Sequence, residues 1–190
     1  MLNGFIRFVK RAIHAGGLNL VGTKREWKDI EYFDDLWRER IRLMAGFIPA
    51  GSSVIDLGCG RMWLRDMFPL GNYVPVDYCD RGPGTRICDF NLKEFPNESA
   101  DYAFVSGCLE YIKDPVWFVS KLAEFSDKCV ISYCTTDKTP DIQTRRSNCW
   151  VNDLSRVDLI QMFNKEGMRL INESIHEPFN NIFVFKWLMN

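Results

Sequence analysis

The chain has 190 residues, which is enough for one globular domain that buries about 70 % of its unfolded surface. Its hydrophobic fraction of 46 % and charged fraction of 26 % are those of ordinary globular proteins. The 24 basic residues nearly cancel the 25 acidic ones, so we expect no partner that is held mainly through nucleic-acid phosphates.

Cysteine usage points to a reducing compartment. The seven cysteines contain no CxxC pair, and most stand inside apolar runs, where cysteine behaves as a small hydrophobic residue. We therefore expect neither a disulfide framework nor a metal site, and a cytoplasmic location. No apolar run approaches the length of a membrane span, so we expect no stable membrane insertion.

The N-terminal part of the chain is predicted to be helical. Residues 1–24 mix basic and apolar side chains and lack the apolar core of a signal peptide. They form either an arm packed on the domain or a basic amphipathic helix that touches a membrane surface or covers a site. Apolar spacings of three and four predict an amphipathic helix over 25–47. We assign residues 1–50 to an N-terminal helical segment and residues 51–190 to the core.

In the core, apolar strands alternate with helices. The predicted strands are 53–57, 72–78, 85–90, 100–107, 128–134, 168–175 and 181–187. The predicted helices are 61–68, 114–125 and one that begins at Ser155 and ends at Gly167. The stretch 135–152 is predicted to be a long loop. This alternation predicts an α/β fold, with a doubly wound, mostly parallel sheet, helices on both faces and a C-terminal antiparallel hairpin.

The stretch SSVIDLGCGRMW, residues 52–63, carries the strongest ligand signal. In such sheets, ligands bind beyond the carboxyl ends of the strands, and Gly58 and Gly60 let the backbone turn sharply there. Trp63 stands where the dinucleotide fingerprint G-x-G-x-x-G needs its third glycine, which weighs against NAD or FAD. The chain contains no Walker phosphate loop.

Four motifs in order resemble those of one family. VIDLGCG resembles the first signature of the class I, Rossmann-like S-adenosylmethionine (SAM)-dependent methyltransferases, of the type 11-like group. YVPVDYCD resembles their second strand, TRICDFN their adenine-binding segment, and EFPNESADYAFVSGCLEYIKDP the block that spans their fourth strand. The resemblance covers residues 50 to 190 and implies a Rossmann-like fold with SAM as the cofactor.

The resemblance also implies cofactor-binding residues. Asp77 would bind the ribose hydroxyls, and Asp89 and its neighbour Phe90 would meet the adenine, which the rings of Tyr78 and Phe90 could enclose. The other residues expected at the cofactor are Asp56, Gly58, Cys59, Gly60 and Ser106. We expect the backbone amides from Gly58 to Gly60 to approach the methionine part. Asp56 could instead only support the turn, Cys59 could simply fit it, and the two rings could be core.

The catalytic residues are less well defined. A hydroxyl acceptor requires a general base, and many relatives carry a histidine after Leu-Glu in the loop that follows the fourth strand. This chain has Tyr111 at that position. The candidates on the substrate side are Glu110, Tyr111 and, if the N-terminal segment folds over the site, His14. The structural alternatives are a cap for the glutamate and a packing ring for the tyrosine.

The sequence therefore predicts a SAM-dependent methyltransferase that modifies an oxygen or nitrogen of a small molecule, such as a sugar or a biosynthetic intermediate. The N-P-P-Y-like tetrad of DNA methyltransferases is absent. In the loop 135–152, Lys138, Arg145, Arg146 and Trp150 form either a clamp for an anionic substrate or a solvated surface. Two alternatives remain open, a non-catalytic scaffold that keeps the fold and an NAD-type oxidoreductase.

Overall fold

The computed structural model describes residues 33–176, 178 and 180–188. The strands are β1 Val54–Leu57, β2 Tyr73–Asp77, β3 Arg86–Ile87, β4 Ala100–Ser106, β5 Ser126–Tyr133, β6 Met168–His176 and β7 Asn180–Trp187. The α-helices are α1 Asp35–Ala45, α2 Trp63–Met67, α3 Pro115–Phe125, α4 Ile142–Ser147 and α5 Arg156–Lys165. Two 3₁₀ turns cover Phe90–Leu92 and Leu109–Tyr111.

The strands form one sheet in the order β3-β2-β1-β4-β5-β7-β6. The pairs among β1 to β5 are parallel, whereas β7 lies antiparallel to both β5 and β6. The predicted doubly wound sheet with a C-terminal antiparallel hairpin is confirmed. The order reverses between β1 and β4, so the carboxyl ends of these strands are the expected ligand edge.

Helices cover both faces of the sheet, as predicted. Ile55 and Leu57 of β1 belong to a buried cluster that includes residues of α3 and α5, whereas Val54 belongs to a second cluster with α1 and α2. This alternation follows from the two-residue period of a strand. The ring of Phe163 on α5 stacks on Phe185 of β7, with the centroids 3.8 Å apart.

The helix predicted over 25–47 begins at Asp35 in the structure. The Asp34 side chain accepts a hydrogen bond from the backbone N–H of Leu36 and so caps the helix. Residues 25–32 lie outside the described residues. Met44 and Ile48 are buried in the same cluster as β4, β5 and β7, so the described part of the N-terminal segment packs on the sheet. The boundary at residue 50 stays a prediction.

The stretch 135–152, predicted to be a loop, contains the helix α4. Asp141 caps it by accepting from the N–H of Thr144. The Arg145 side chain is fully buried, so it belongs neither to a solvated surface nor to an exposed clamp. Trp150 is buried as well, and Arg146 forms an ion pair with Asp153.

Arg145 ties this stretch to the end of β5. Its Nε donates to Asp153 Oδ1 at 2.7 Å, and one terminal nitrogen donates to the Cys134 carbonyl at 2.7 Å. The other terminal nitrogen donates to the Tyr133 hydroxyl at 2.9 Å and to the Asn152 carbonyl at 3.0 Å. A planar guanidinium is suited to such a divergent set of acceptors. Arg145 therefore has a structural role in the described chain.

We predict that Arg145→Ala lowers the free energy of unfolding by about 3–5 kcal/mol, because it leaves buried acceptors without donors. Arg146→Ala is the matched control. Its side chain is 44 % exposed and pairs with the same Asp153, so we expect a loss below about 1 kcal/mol. Urea denaturation of both variants measures the difference, and equal losses would contradict the assignment.

Candidate functional site

The carboxyl ends of β1, β2 and β4 bring the main candidate residues together. Asp77 is the last residue of β2, and Gly58 to Gly60 form the turn after β1. The backbone N–H of Gly60 donates to Asp77 Oδ2 at 2.9 Å, and Asp77 is only 5 % exposed. A buried carboxylate is therefore held at the edge where the strand order reverses.

The glycine turn uses its own amides internally. The N–H groups of Gly58 and Cys59 both donate to the Val76 carbonyl, at 2.8 and 2.9 Å. Together with the bond from Gly60 to Asp77, all three amides bind within the chain. An approach of these amides to the methionine part of a cofactor stays a prediction. The turn anchors β1 to β2 and orients Asp77.

Gly58 is a glycine for conformational and steric reasons. Its φ is +80°, which L side chains rarely adopt. A Cβ at this position would also lie 3.0 Å from both the Cβ and the Sγ of Cys108, which follows β4. The turn and the loop after β4 are therefore in close contact.

Two residues of the segment predicted to meet the adenine, Asp89 and Phe90, make contacts within the chain. Asp89 is half-buried and accepts from the N–H of Asn91 at 3.0 Å, as the cap of a 3₁₀ turn. The Phe90 ring lies in the core, with its centroid 5.0 Å from that of Phe118. This placement favours the alternative that Phe90 is a core residue, and a contact of its ring with the adenine stays a prediction. Contacts from Asp89, from the Phe90 backbone and from the half-buried Tyr78 stay predictions.

The end of β4 is covered by Arg40 of α1. Its Nε donates to Ser106 Oγ at 3.0 Å. A Cβ at Gly107, whose φ is +65°, would lie 2.6 Å from a terminal nitrogen of Arg40. Arg40 is only 8 % exposed, and burial lowers the pKa of its guanidinium. Arg40 carries no signal in the sequence, because a single arginine in an amphipathic helix looks like an ordinary surface residue.

Glu110 is a buried carboxyl next to this region. It is 2 % exposed, and its Oε1 accepts from the N–H of Cys134 at 3.0 Å. Its Oε2 has no hydrogen-bond partner among residues 33–176, 178 and 180–188. Burial raises the pKa of Glu110 above its usual range. A buried carboxyl of this kind holds its proton to a higher pH than an exposed glutamate does.

Of the two other catalytic candidates, the structure describes Tyr111 but not His14. The Tyr111 hydroxyl accepts from Trp150 Nε1 at 3.3 Å, and burial raises the pKa of Tyr111 above its usual value. A phenol with a raised pKa is a hydrogen-bond donor at neutral pH and a poor base. His14 lies outside the described residues, so its role stays a prediction.

Comparisons with known proteins bear on the fold. No family model matches the chain, and no curated protein matches it by sequence. Among solved structures, the 1,6-didemethyltoxoflavin-N1-methyltransferase of Burkholderia thailandensis, with S-adenosylhomocysteine bound, superposes with a TM-score of 0.62 at 14 % identity. The match covers 86 % of this chain and 81 % of that one. The fold is that of class I SAM-dependent methyltransferases.

Two further methyltransferase structures superpose on this chain with similar TM-scores. The magnesium protoporphyrin IX methyltransferase of Synechocystis, with S-adenosylhomocysteine bound, has a TM-score of 0.61 at 12 % identity and covers 97 % of this chain and 94 % of that one. The N-methyltransferase NodS of Bradyrhizobium japonicum has a TM-score of 0.61 at 11 % identity, with coverages of 80 % and 86 %. At these identities the likeness concerns the methyltransferase fold alone.

Neither a membrane-spanning helix nor a metal cluster is found among the described residues. No helix among them is long and apolar enough to cross a membrane. Nor does that part of the chain hold a cluster of three or more His, Cys, Asp or Glu side chains arranged to bind a metal ion.

Asp56 is a buried residue of β1, the strand that leads into the glycine turn. It is 4 % exposed and accepts from the Tyr73 hydroxyl at 2.6 Å. Burial raises the pKa of Asp56 to about 7, although the bond from Tyr73 opposes the shift. Burial likewise raises the pKa of the neighbouring Cys59 thiol, which fits a small packed residue. Cofactor contacts from either side chain stay predictions.

The raised pKa of Asp56 predicts a pH-dependent stability. Protonated Asp56 favours the folded state, so its contribution is fully present below about pH 4 and is lost as the pH rises to 7. We expect the free energy of unfolding to fall between pH 5 and 7 by about 2 kcal/mol more in the wild type than in Asp56→Asn. Urea denaturation at several pH values measures this.

The exposed Asp66, on α2, offers the control variant Asp66→Asn, whose pH curve should parallel that of the wild type. Equal slopes for the wild type and Asp56→Asn would show that Asp56 is ionised throughout this range and would contradict the prediction.

Proposed function

We propose that this protein is a SAM-dependent methyltransferase that transfers a methyl group to an oxygen or nitrogen of a small-molecule acceptor. The observation that carries the proposal is the buried Asp77 carboxylate at the end of β2, held by the Gly60 amide beside the point where the strand order reverses. The acceptor class follows the first of the reported neighbours, whose structure also contains 1,6-didemethyltoxoflavin.

The residues fit the adenosine part of SAM. A carboxylate can accept hydrogen bonds from both hydroxyls of a ribose, and bonds to an ionised group are the stronger ones. Because Gly60 holds Asp77 in place, little side-chain entropy is lost when a ribose binds. Tyr78 and Asp89 stand on the neighbouring turns, where contacts with the adenine are expected.

On the acceptor side we assign proton transfer to Glu110. SAM, when bound, supplies a methyl group activated by its sulfonium. The chain would orient the acceptor, exclude water and, for a hydroxyl acceptor, take up the proton at Glu110 Oε2, the oxygen that has no partner among the described residues. The raised pKa of Glu110 brings it closer to neutral pH, where a general base is most effective.

We predict that Asp77→Ala weakens binding of S-adenosylhomocysteine more than tenfold, because ribose hydroxyls buried without their acceptor cost about 1–3 kcal/mol. Isothermal titration calorimetry on the full chain measures the change. Asp66→Ala, which removes an exposed acid, should leave the affinity unchanged. Unchanged affinity in a folded Asp77→Ala protein would show that the cofactor placement is wrong.

The same titration with NADH tests the oxidoreductase alternative. Trp63 begins α2 where a dinucleotide site needs a close glycine, so we expect no NADH binding. Binding of NADH without binding of S-adenosylhomocysteine would favour the oxidoreductase and overturn the proposal.

A screen of metabolite pools with methyl-labelled SAM tests the activity itself. For a hydroxyl acceptor found this way, we predict that Glu110→Gln lowers kcat by about 10²- to 10⁴-fold and leaves the affinity for S-adenosylhomocysteine unchanged. Glutamine can still accept from the Cys134 amide, so the fold should be kept. Glu124→Gln, at an exposed position of α3, is the control.

Cofactor binding without transfer to any acceptor would instead favour the non-catalytic scaffold. A general-base role for Glu110 would be ruled out if kcat were unchanged in Glu110→Gln.

A further inference from the structure

Arg81 forms an ion pair with the acid of the candidate ribose site. It lies four residues after Asp77, on the turn that follows β2, and its Nε is 3.4 Å from Asp77 Oδ1. The Asp77 side chain is buried, with an exposed fraction of 6 %, and that of Arg81 is largely covered, with 14 %. The other carboxylate oxygen accepts from the Gly60 amide. Both oxygens of Asp77 therefore contact groups of the chain itself.

Two aromatic rings hold the Arg81 guanidinium in this position. Its central carbon lies 5.3 Å from the centroid of the Tyr78 ring and 5.5 Å from that of Phe33. Both distances are within the range of cation–π attraction. Tyr78 is the residue expected to meet the adenine, so Arg81 contacts the predicted positions of the ribose and the adenine together.

Phe33 extends this cover over the glycine turn. A Cβ at Gly60 would lie 2.5 Å from the Phe33 ring, which means that the ring rests directly on the turn. The same ring meets Trp37 of α1 and Trp63 of α2 edge-on, with centroids 6.0 and 6.1 Å apart. Phe33 is thus fixed by two helices while it contacts Gly60 and Arg81.

We propose that Arg81 is a gate on the ribose site, so that a ligand with a vicinal diol reaches Asp77 only after the guanidinium has moved away. The inference rests on the proposed function, because it takes the ligand to be an adenosine compound. Pro83 and Gly84, two and three residues after Arg81, are exposed, so the turn that carries Arg81 borders solvent.

The gate has a measurable cost in affinity. When only part of the molecules are open, the apparent dissociation constant equals the intrinsic one divided by the open fraction. Removing the guanidinium opens every molecule. We therefore expect Arg81→Ala to tighten the binding of S-adenosylhomocysteine by about fivefold or more.

Calorimetric titration of the full chain with S-adenosylhomocysteine tests the gate. Arg81→Met is a second variant, since it removes the charge but keeps an unbranched side chain between the rings, and it should also tighten binding. Arg86→Met is the matched control, because Arg86 is an exposed arginine nearby that pairs with Glu98. Its affinity should equal that of the wild type. Thermal melting confirms that each variant is folded.

The outcomes separate the gate from the proposed function. Tighter binding in both Arg81 variants, with Arg86→Met unchanged, supports the gate. Equal or weaker binding in folded Arg81 variants overturns the gate and leaves the proposed function standing, and weaker binding would show that Arg81 assists the ligand. Absence of binding in the wild type and in every variant overturns both.

Discussion

The hydrogen bond from the Gly60 amide to the Asp77 carboxylate is the interaction on which the rest of the site depends. It joins the turn after β1 to the end of β2, and the bonds from Gly58 and Cys59 to the Val76 carbonyl reinforce the same connection. A buried carboxylate is costly without such partners. The chain meets this cost with a backbone amide and with Arg81, and the position of the acid follows from the geometry of the turn.

The need of buried charged groups for partners also explains why they lie together at one edge of the sheet. Parallel strands end together, and the loops that follow them carry polar groups that the apolar core cannot hold. Arg40, Glu110 and Arg145 all lie at this carboxyl edge, and each is more than nine-tenths buried. Arg145 meets acceptors all around its guanidinium, whereas Glu110 keeps one oxygen without a partner among the described residues. The contacts of Arg145 stabilise the stretch 135–152, whereas a proton-transfer role for Glu110 is a proposal.

Most of the fold was predictable because its elements are local patterns. The continuous apolar runs of β1 and β4, the Asp114 cap with Pro115 at the start of α3 and the Ser155 capping box of α5 all have the predicted structure. Two differences from the prediction arise at short caps. Asp34 caps α1, so residues 33–34 are not helical, although the apolar spacing suggests a helix there, and Asp141 starts a helix of six residues that is too short to show a period.

The site was less predictable, because its contacts join residues far apart in sequence. Motif order placed Asp77 and the glycine turn correctly at one edge, but the direction of the amides depends on Val76 and Asp77, which belong to the neighbouring strand. Phe90 looked like a ligand-facing ring and lies in the core because α3 packs Phe118 against it. Arg40 and Arg81 carried no local signal.

The sequence by itself determined the α/β class, the strand and helix order and the position of the ligand edge, since these follow from hydrophobic period, caps and glycine turns. Only the tertiary structure decided which polar groups are already bound to each other. Whether an amide, a carboxylate or a guanidinium faces a ligand or the chain itself depends on packing between distant segments, and such packing leaves no periodic trace in the sequence.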